Sequence, residues 1–179
     1  MLYTMRYESP VGPLLLVERD GALAGLWMEG QKYFLGSLQG EMRENEDSEI
    51  LNCTKSWLDR YFAGEKPNVD GLSLAPEGSA FRKVVWKMLC EIPYGETMTY
   101  GEIARRMAER QGGKGMSAQA VGGAVGHNPI SIIIPCHRVV GTNGNLTGYA
   151  GGLEKKLKLL TLEGVDRDRL FIPTKGTAL

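Results

Sequence analysis

Cysteine and histidine are scarce in this chain. Its 179 residues hold three cysteines, Cys53, Cys90 and Cys136, and two histidines, His127 and His137. No histidine precedes Gly78, so a zinc site of the Cys/His kind is unsupported in the first part of the chain. An odd number of cysteines without framework spacing suits free thiols in a reducing compartment and gives no reason to invoke a disulfide. Long apolar runs are missing too. Met1 to Asp20 carries Arg6, Glu8, Glu18 and Arg19 without a sustained apolar stretch, so no signal peptide is expected, and nothing approaches membrane-spanning length. The expected location is the cytoplasm. Net charge is absent as well, with 21 basic and 21 acidic residues, so the chain as a whole has no pull on a polyanion.

What is present is an ordinary globular composition, 42% hydrophobic and 23% charged, enough to bury one large or two small cores. The charge also proves to be unevenly placed. Met1 to Gly78 holds 7 Lys/Arg against 13 Asp/Glu, whereas Ser79 to Leu179 holds 14 against 8, so the second part has a basic surface to offer. Leu2 to Trp27 alternates and is broken at Pro10-Val11-Gly12-Pro13 and at Asp20-Gly21, a hairpin signal; a small antiparallel sheet is predicted. Ile50, Leu51, Trp57, Leu58, Tyr61 and Phe62 have helical spacing after Ser48, which can cap the helix, and Gly64 ends it. Glu65 to Gly78 lacks periodicity and reads as a linker. The expected domains are residues 1–78 and 79–179.

The second part reads as mostly helical. Ser79 precedes a helical run through Leu89, and Thr99-Tyr100-Gly101-Glu102 has the spacing of a capping box opening a helix to about Arg110. Gln111-Gly112-Gly113-Lys114-Gly115 is a flexible turn, and Ser117 can cap a third, short helix through Val125. Helix, turn and short helix form an arrangement that reads DNA. That last helix contains Gly122 and Gly123, each costing about 1 kcal/mol relative to alanine. With Ala118, Ala120 and Ala124 they make a low surface, suited to close approach by a phosphate backbone or by another helix.

Ile132-Ile133-Ile134-Pro135-Cys136-His137-Arg138-Val139 places a cysteine and a histidine in the most apolar run of the chain. Three isoleucines ending at a proline read as a short buried strand. Adjacent residues on extended chain point to opposite faces, so His137 reaches the thiol only if the chain turns or a water bridges them. A buried, inert cysteine is the plain alternative.

Pro135-Cys136-His137-Arg138-Val139 resembles the active-site sequence of the O6-alkylguanine-DNA alkyltransferases. Its flanks agree: Tyr100, Ala120-Val121-Gly122-Gly123-Ala124 and Asn128-Pro129 upstream, Gly148-Tyr149-Ala150-Gly151-Gly152 and Leu162-Glu163-Gly164 downstream. The resemblance is close from Ser79 to Gly164 and looser before it. It implies an α/β fold, a small sheet with helix of ribonuclease H-like kind followed by a winged helix-turn-helix-like domain that docks in the minor groove. It further implies direct reversal of damage, with the alkyl group passing irreversibly from O6-alkylguanine in duplex DNA to the protein's own cysteine, once per molecule.

On that resemblance Cys136 is the nucleophile, His137 its base through water, and Glu163 the group that orients His137. A depressed thiol pKa follows if an imidazolium stands beside the sulfur. Tyr149 is expected on the guanine ring, Tyr100 on the rotating phosphate or leaving base, and Asn128 behind the cysteine loop. The carbonyls of Cys136 and Val139 are expected to read the exocyclic amine. Ala120, Gly122, Gly123, Arg138 and Ala150 complete the expected DNA and substrate contacts. Gln119 stands where many members carry an arginine that fills the gap left by the flipped base. Duplex DNA is the expected partner, with no membrane, no metal and no organic cofactor, for a monomer. A damage sensor and a cysteine hydrolase are the rival classes; sensing relatives lack the cysteine.

Overall fold

The computed structural model describes Met1 to Pro173, so the end of the second expected domain, residues 174–179, lies outside the described residues. Two compact units emerge, residues 1–78 with 129–133, and residues 79–128 with 134–173 of the described chain.

In the first unit, β1 (Leu2–Ser9), β2 (Gly12–Arg19) and β3 (Ala22–Met28) form an antiparallel meander. Both turn signals act as read: Gly12, Asp20 and Gly21 adopt positive φ, the conformation these tight reversals need. The sheet is not purely antiparallel. A short β4 (Met42–Glu44) joins the far edge parallel to β1, giving the order β3-β2-β1-β4. Its sequence, Met-Arg-Glu, has no apolar alternation to betray it, because all three side chains are exposed. Helix α1 (Glu49–Phe62) starts at Ser48, whose hydroxyl accepts the Leu51 amide at 3.2 Å. Leu51, Trp57, Leu58 and Tyr61 are its buried hydrophobic side chains. Each such side chain withdrawn from water contributes about 1.5–3 kcal/mol.

Pro129 to Ile133 closes this unit, through a backbone bond from Leu26 to the Pro129 carbonyl and another from Ser131 to the Leu26 carbonyl. The three isoleucines do not form the expected strand. Ser131 to Ile133 turn, and Ile132 has φ +70°, a conformation strained for a β-branched residue. The apolar run reports burial correctly and extension wrongly, since length and composition alone do not separate a buried turn from a buried strand.

The second unit has four helices, α2 (Ala80–Leu89), α3 (Tyr100–Arg110), α4 (Ala118–Gly126) and α5 (Leu153–Leu162), among the described residues. Their starts follow local chemistry. Ser79 and Ser117 cap α2 and α4, and Thr99 with Glu102 forms the complete capping box of α3, at 3.1 and 2.7 Å. A two-stranded parallel pair, β5 (Met98–Thr99) and β6 (Val139–Val140), ties the start of α3 to the segment after Cys136. Trp86 on α2 donates its indole N–H to the Ala124 carbonyl at 2.8 Å, fixing α4 by its buried side. Val140, Leu146 and Leu160 form a core cluster with Leu153, Leu157, Val165 and Leu170 packed on it.

Candidate active site

Cys136, His137 and Arg138 form a single 3-10 turn that begins after Pro135 and runs into β6. This tight winding replaces the opposite-face alternation of extended chain, and all three side chains are buried. The Asn128 amide donates to the Cys136 sulfur at 3.1 Å and to the Ile134 carbonyl at 2.8 Å, so one side chain braces both the nucleophile and its loop.

The expected depressed thiol pKa is not what the structure gives. Burial pushes the Cys136 thiol up, and the Asn128 hydrogen bond and the Lys156 charge offset it only in part. Burial likewise pushes the His137 imidazole down, outweighing its bond to Glu163. A neutral thiol beside a neutral imidazole therefore replaces the anticipated thiolate and imidazolium, because neither charge is solvated in this interior.

His137 Nε2 lies 2.6 Å from a Glu163 carboxylate oxygen. Burial pulls the Glu163 carboxyl upward, but hydrogen bonds and charge from His137 and then Arg138 outweigh it and hold it well below the usual carboxylate range. Since the imidazole is neutral, the permanent charge behind this is the Arg138 guanidinium. A carboxylate accepts only, so Nε2 carries the proton and donates it, leaving the lone pair on Nδ1 as the basic nitrogen. Glu163 caps the end of α5, where Gly164 adopts positive φ, and so serves the helix and the histidine together.

Arg138 was expected to touch DNA, and its geometry points elsewhere. Its Nε and Nη2 grip the two Glu163 oxygens at 2.8 and 3.0 Å, and Nη1 donates to the Ile92 carbonyl at 2.6 Å. The guanidinium lies 5.7 Å from the Tyr94 ring centre. Gly95 completes the clasp by donating its amide to Glu163 at 3.2 Å. A Cβ at Gly95 would stand 2.8 Å from the Glu163 carbonyl oxygen, so only glycine fits there. A planar five-donor group suits a buried carboxylate as well as a phosphate, which is why residue type alone misplaced it.

Tyr100 opens α3, and its hydroxyl donates to the carbonyls of Thr147 at 3.1 Å and Gly148 at 3.3 Å. Burial, then the charge of Cys136, pushes its pKa up to about 12, which keeps the phenol protonated. Tyr149 is buried, and its hydroxyl has no hydrogen-bond partner among the described residues. Burial also holds it protonated, hence a donor without an acceptor among the described residues. Ala150 follows, half-buried. Val139 is buried in β6, and its amide donates to the Cys136 carbonyl, whose second lone pair is still able to accept.

Helix α4 presents Gln119, Ala120 and Gly123 to the outside, with Gly122 half-buried. A Cβ at Gly123 would meet nothing within 4 Å, and one at Gly122 would make ordinary contact with the Tyr100 ring at 3.8 Å. Packing inside the protein therefore does not demand glycine at either place.

The two halves of the chain match two family models: residues 1–76 the ribonuclease-like domain, and residues 80–165 the DNA-binding domain, of 6-O-methylguanine DNA methyltransferase. The chain belongs to the O6-methylguanine DNA methyltransferase family. It is 47% identical over 164 residues to a methylated-DNA–protein-cysteine methyltransferase of Methanosarcina acetivorans, covering 91% of this chain and 99% of that one. The Haemophilus influenzae protein of the same name is 40% identical, over 92% of this chain and 87% of its own. Among solved structures, the Mycobacterium tuberculosis OGT in complex with DNA superimposes with a TM-score of 0.75 at 41% identity, covering 94% of each chain. The Methanococcus jannaschii O6-methylguanine DNA methyltransferase gives 0.64 at 28%, over 98% and 99%.

A buried residue next to the Tyr100 and Tyr149 segment that the sequence reading did not single out is Lys156. It lies on α5 at helical spacing from Leu153, Leu159 and Leu160, with no exposure at all. A lysine inside an apolar stripe was the available signal. Among the described residues no helix is long and apolar enough to cross a membrane, and no group of His, Cys, Asp or Glu is placed to hold a metal ion.

Proposed function

We propose that this protein repairs duplex DNA by direct reversal, moving an alkyl group from the O6 of guanine to Cys136, and that each molecule acts once. The observation that carries the reading is the single turn that sets a buried thiol next to a histidine oriented by Glu163 and Arg138. An alkylated O6 inside a stacked duplex is out of reach of a buried sulfur, so the nucleotide must be turned out of the helix. In our reading α4 enters the minor groove, with Ala120, Gly122 and Gly123 giving the backbone close approach, and Gln119 occupying the space the base leaves.

Base placement falls to Tyr149, whose buried hydroxyl is a donor available to the guanine ring, and to the carbonyls of Cys136 and Val139, which accept from its exocyclic amine. Ala150 borders the base. His137 Nδ1 takes the thiol proton, through water, and the thiolate attacks the alkyl carbon. The S–C bond forms as the C–O6 bond breaks, the electron pair goes to guanine, and Tyr100 donates toward the leaving base. Because the resting thiol is neutral, deprotonation is coupled to the arrival of the substrate, which guards the cysteine against stray electrophiles. A thioether has no ready leaving path, which makes the transfer irreversible. Arg138 we assign to Glu163 in place of DNA. Residues 79–179 would then carry both docking and transfer, and residues 1–78 the ribonuclease-like fold. The cytoplasm is the compartment we favour, because all three cysteines are free thiols. Incubation with an O6-methylguanine duplex should restore guanine, whereas Cys136→Ser should bind the same duplex and leave it methylated. Restoration of guanine by Cys136→Ser would refute the assignment.

A further inference from the structure

Lys156 has no part in the chemistry just described, yet it is completely buried. Burial of an ammonium costs several kcal/mol unless partners compensate, and an apolar side chain of similar length would pack among Leu153, Leu159 and Leu160 without that cost. Stability therefore gives no reason for a lysine here. Its contacts suggest another. The ammonium donates to the Thr147 carbonyl at 3.1 Å, the same oxygen that accepts the Tyr100 hydroxyl at 3.1 Å. It also lies 5.9 Å from the centre of the Tyr149 ring. One cation on α5 thus reaches both ends of the short loop from Thr147 to Tyr149, which carries Tyr149 and accepts the Tyr100 hydroxyl.

We propose that Lys156 is a positioning residue of the transfer site, its buried ammonium clamping the Thr147 to Tyr149 loop through the carbonyl that Tyr100 also grips and presenting a positive charge to the thiol at neutral pH. This rests on the alkyl-transfer reading above. The electrostatics agree with the geometry: burial brings Lys156 down to about 8, Cys136 opposes that fall, and Lys156 in turn favours the thiolate. The ionisable groups facing it are Cys136 and His137 on the 3-10 turn, Tyr149 on the loop and Tyr100 across the shared carbonyl. Loss of the charge would leave a forming thiolate with the Asn128 amide and backbone donors alone.

Lys156→Met tests this, since it keeps the stem and removes donor and charge. Three quantities are measured on the whole protein: melting temperature, the rate of Cys136 modification by iodoacetamide at pH 7, where Lys156 carries its charge, and the single-turnover rate with an O6-methylguanine duplex. The expected variant melts no lower than wild type, is modified about tenfold more slowly at pH 7, and transfers about tenfold more slowly at the same pH. Lys156→Arg, which keeps charge and donors, should be modified at the wild-type rate. Wild-type modification and transfer rates in Lys156→Met would overturn the inference, as would a modification rate in Lys156→Arg equal to that of Lys156→Met. Failure of Lys156→Met to fold would overturn it too, because the lysine would then be a stability element. Wild-type protein that transfers nothing would instead refute the alkyl-transfer reading, independently of the iodoacetamide result.

Discussion

Replacing Arg138 with methionine would leave the Glu163 carboxylate fully buried with its permanent counter-charge gone. In the native protein that carboxylate receives two guanidinium bonds, at 2.8 and 3.0 Å, besides those from His137 and Gly95. Breaking a buried pair by removing one partner costs about 3–5 kcal/mol, because the remaining charge is uncompensated. For a unit of this size, 1 kcal/mol moves the midpoint by about 4–8 °C, so the melting temperature should fall by about 12–40 °C at neutral pH. The pH dependence follows with a definite sign. Glu163 in wild type is held below its unfolded value, so its contribution is present above about pH 4.3 and is lost only as pH falls toward the folded pKa. Without Arg138 the carboxyl pKa should rise above the unfolded value, and the folded variant should gain stability as acid protonates it. The gap between wild type and Arg138→Met should consequently narrow from pH 8 to about pH 4.5 in thermal melts. A gap that stays constant, or a melting temperature within a few degrees of wild type, would show that Arg138 does not hold the Glu163 charge.

Other expectations are shorter. Asn128→Ala should raise the iodoacetamide midpoint of Cys136 further, because it removes the hydrogen bond that favours the thiolate; an unchanged midpoint would mean the 3.1 Å contact does no electrostatic work. Gly123→Ala should stabilise α4, by about 1 kcal/mol and thus about 4–8 °C, since its Cβ meets nothing, while weakening binding to duplex DNA; unchanged affinity would remove this face from the interface. Gln119→Ala should slow transfer from duplex DNA and leave transfer from free O6-benzylguanine within about twofold, a change below 0.5 kcal/mol. Equal slowing on both substrates would make Gln119 a structural residue.

The parts of this molecule that were legible in its sequence are those governed by local chemistry. Ser48, Ser79, Thr99 with Glu102, and Ser117 cap helices where the sequence places them, because a side-chain oxygen within reach of free amides needs no distant partner. The hairpin at Asp20-Gly21 is of the same kind. Tertiary context decided the rest. β4 pairs through backbone alone, and Ile132 is turned, although its neighbours read as strand. At the site, the ordered motif located Cys136, His137 and Glu163, which the fold brings together across 26 residues of sequence. The motif did not say how dry the place is, and dryness reversed the expected ionisation of the thiol. Arg138 and Lys156 were misread or missed for one reason: a basic side chain is normally a surface group, and only the fold shows these two turned inward.

The central claim is that Cys136 is the alkyl acceptor. Intact mass of the protein after mixing with a duplex containing one O6-methylguanine, followed by peptide mapping, tests it most directly. One methyl group per chain, on Cys136 and on neither Cys53 nor Cys90, is the predicted result. An unmodified protein, or a methyl group on any other residue, would contradict it.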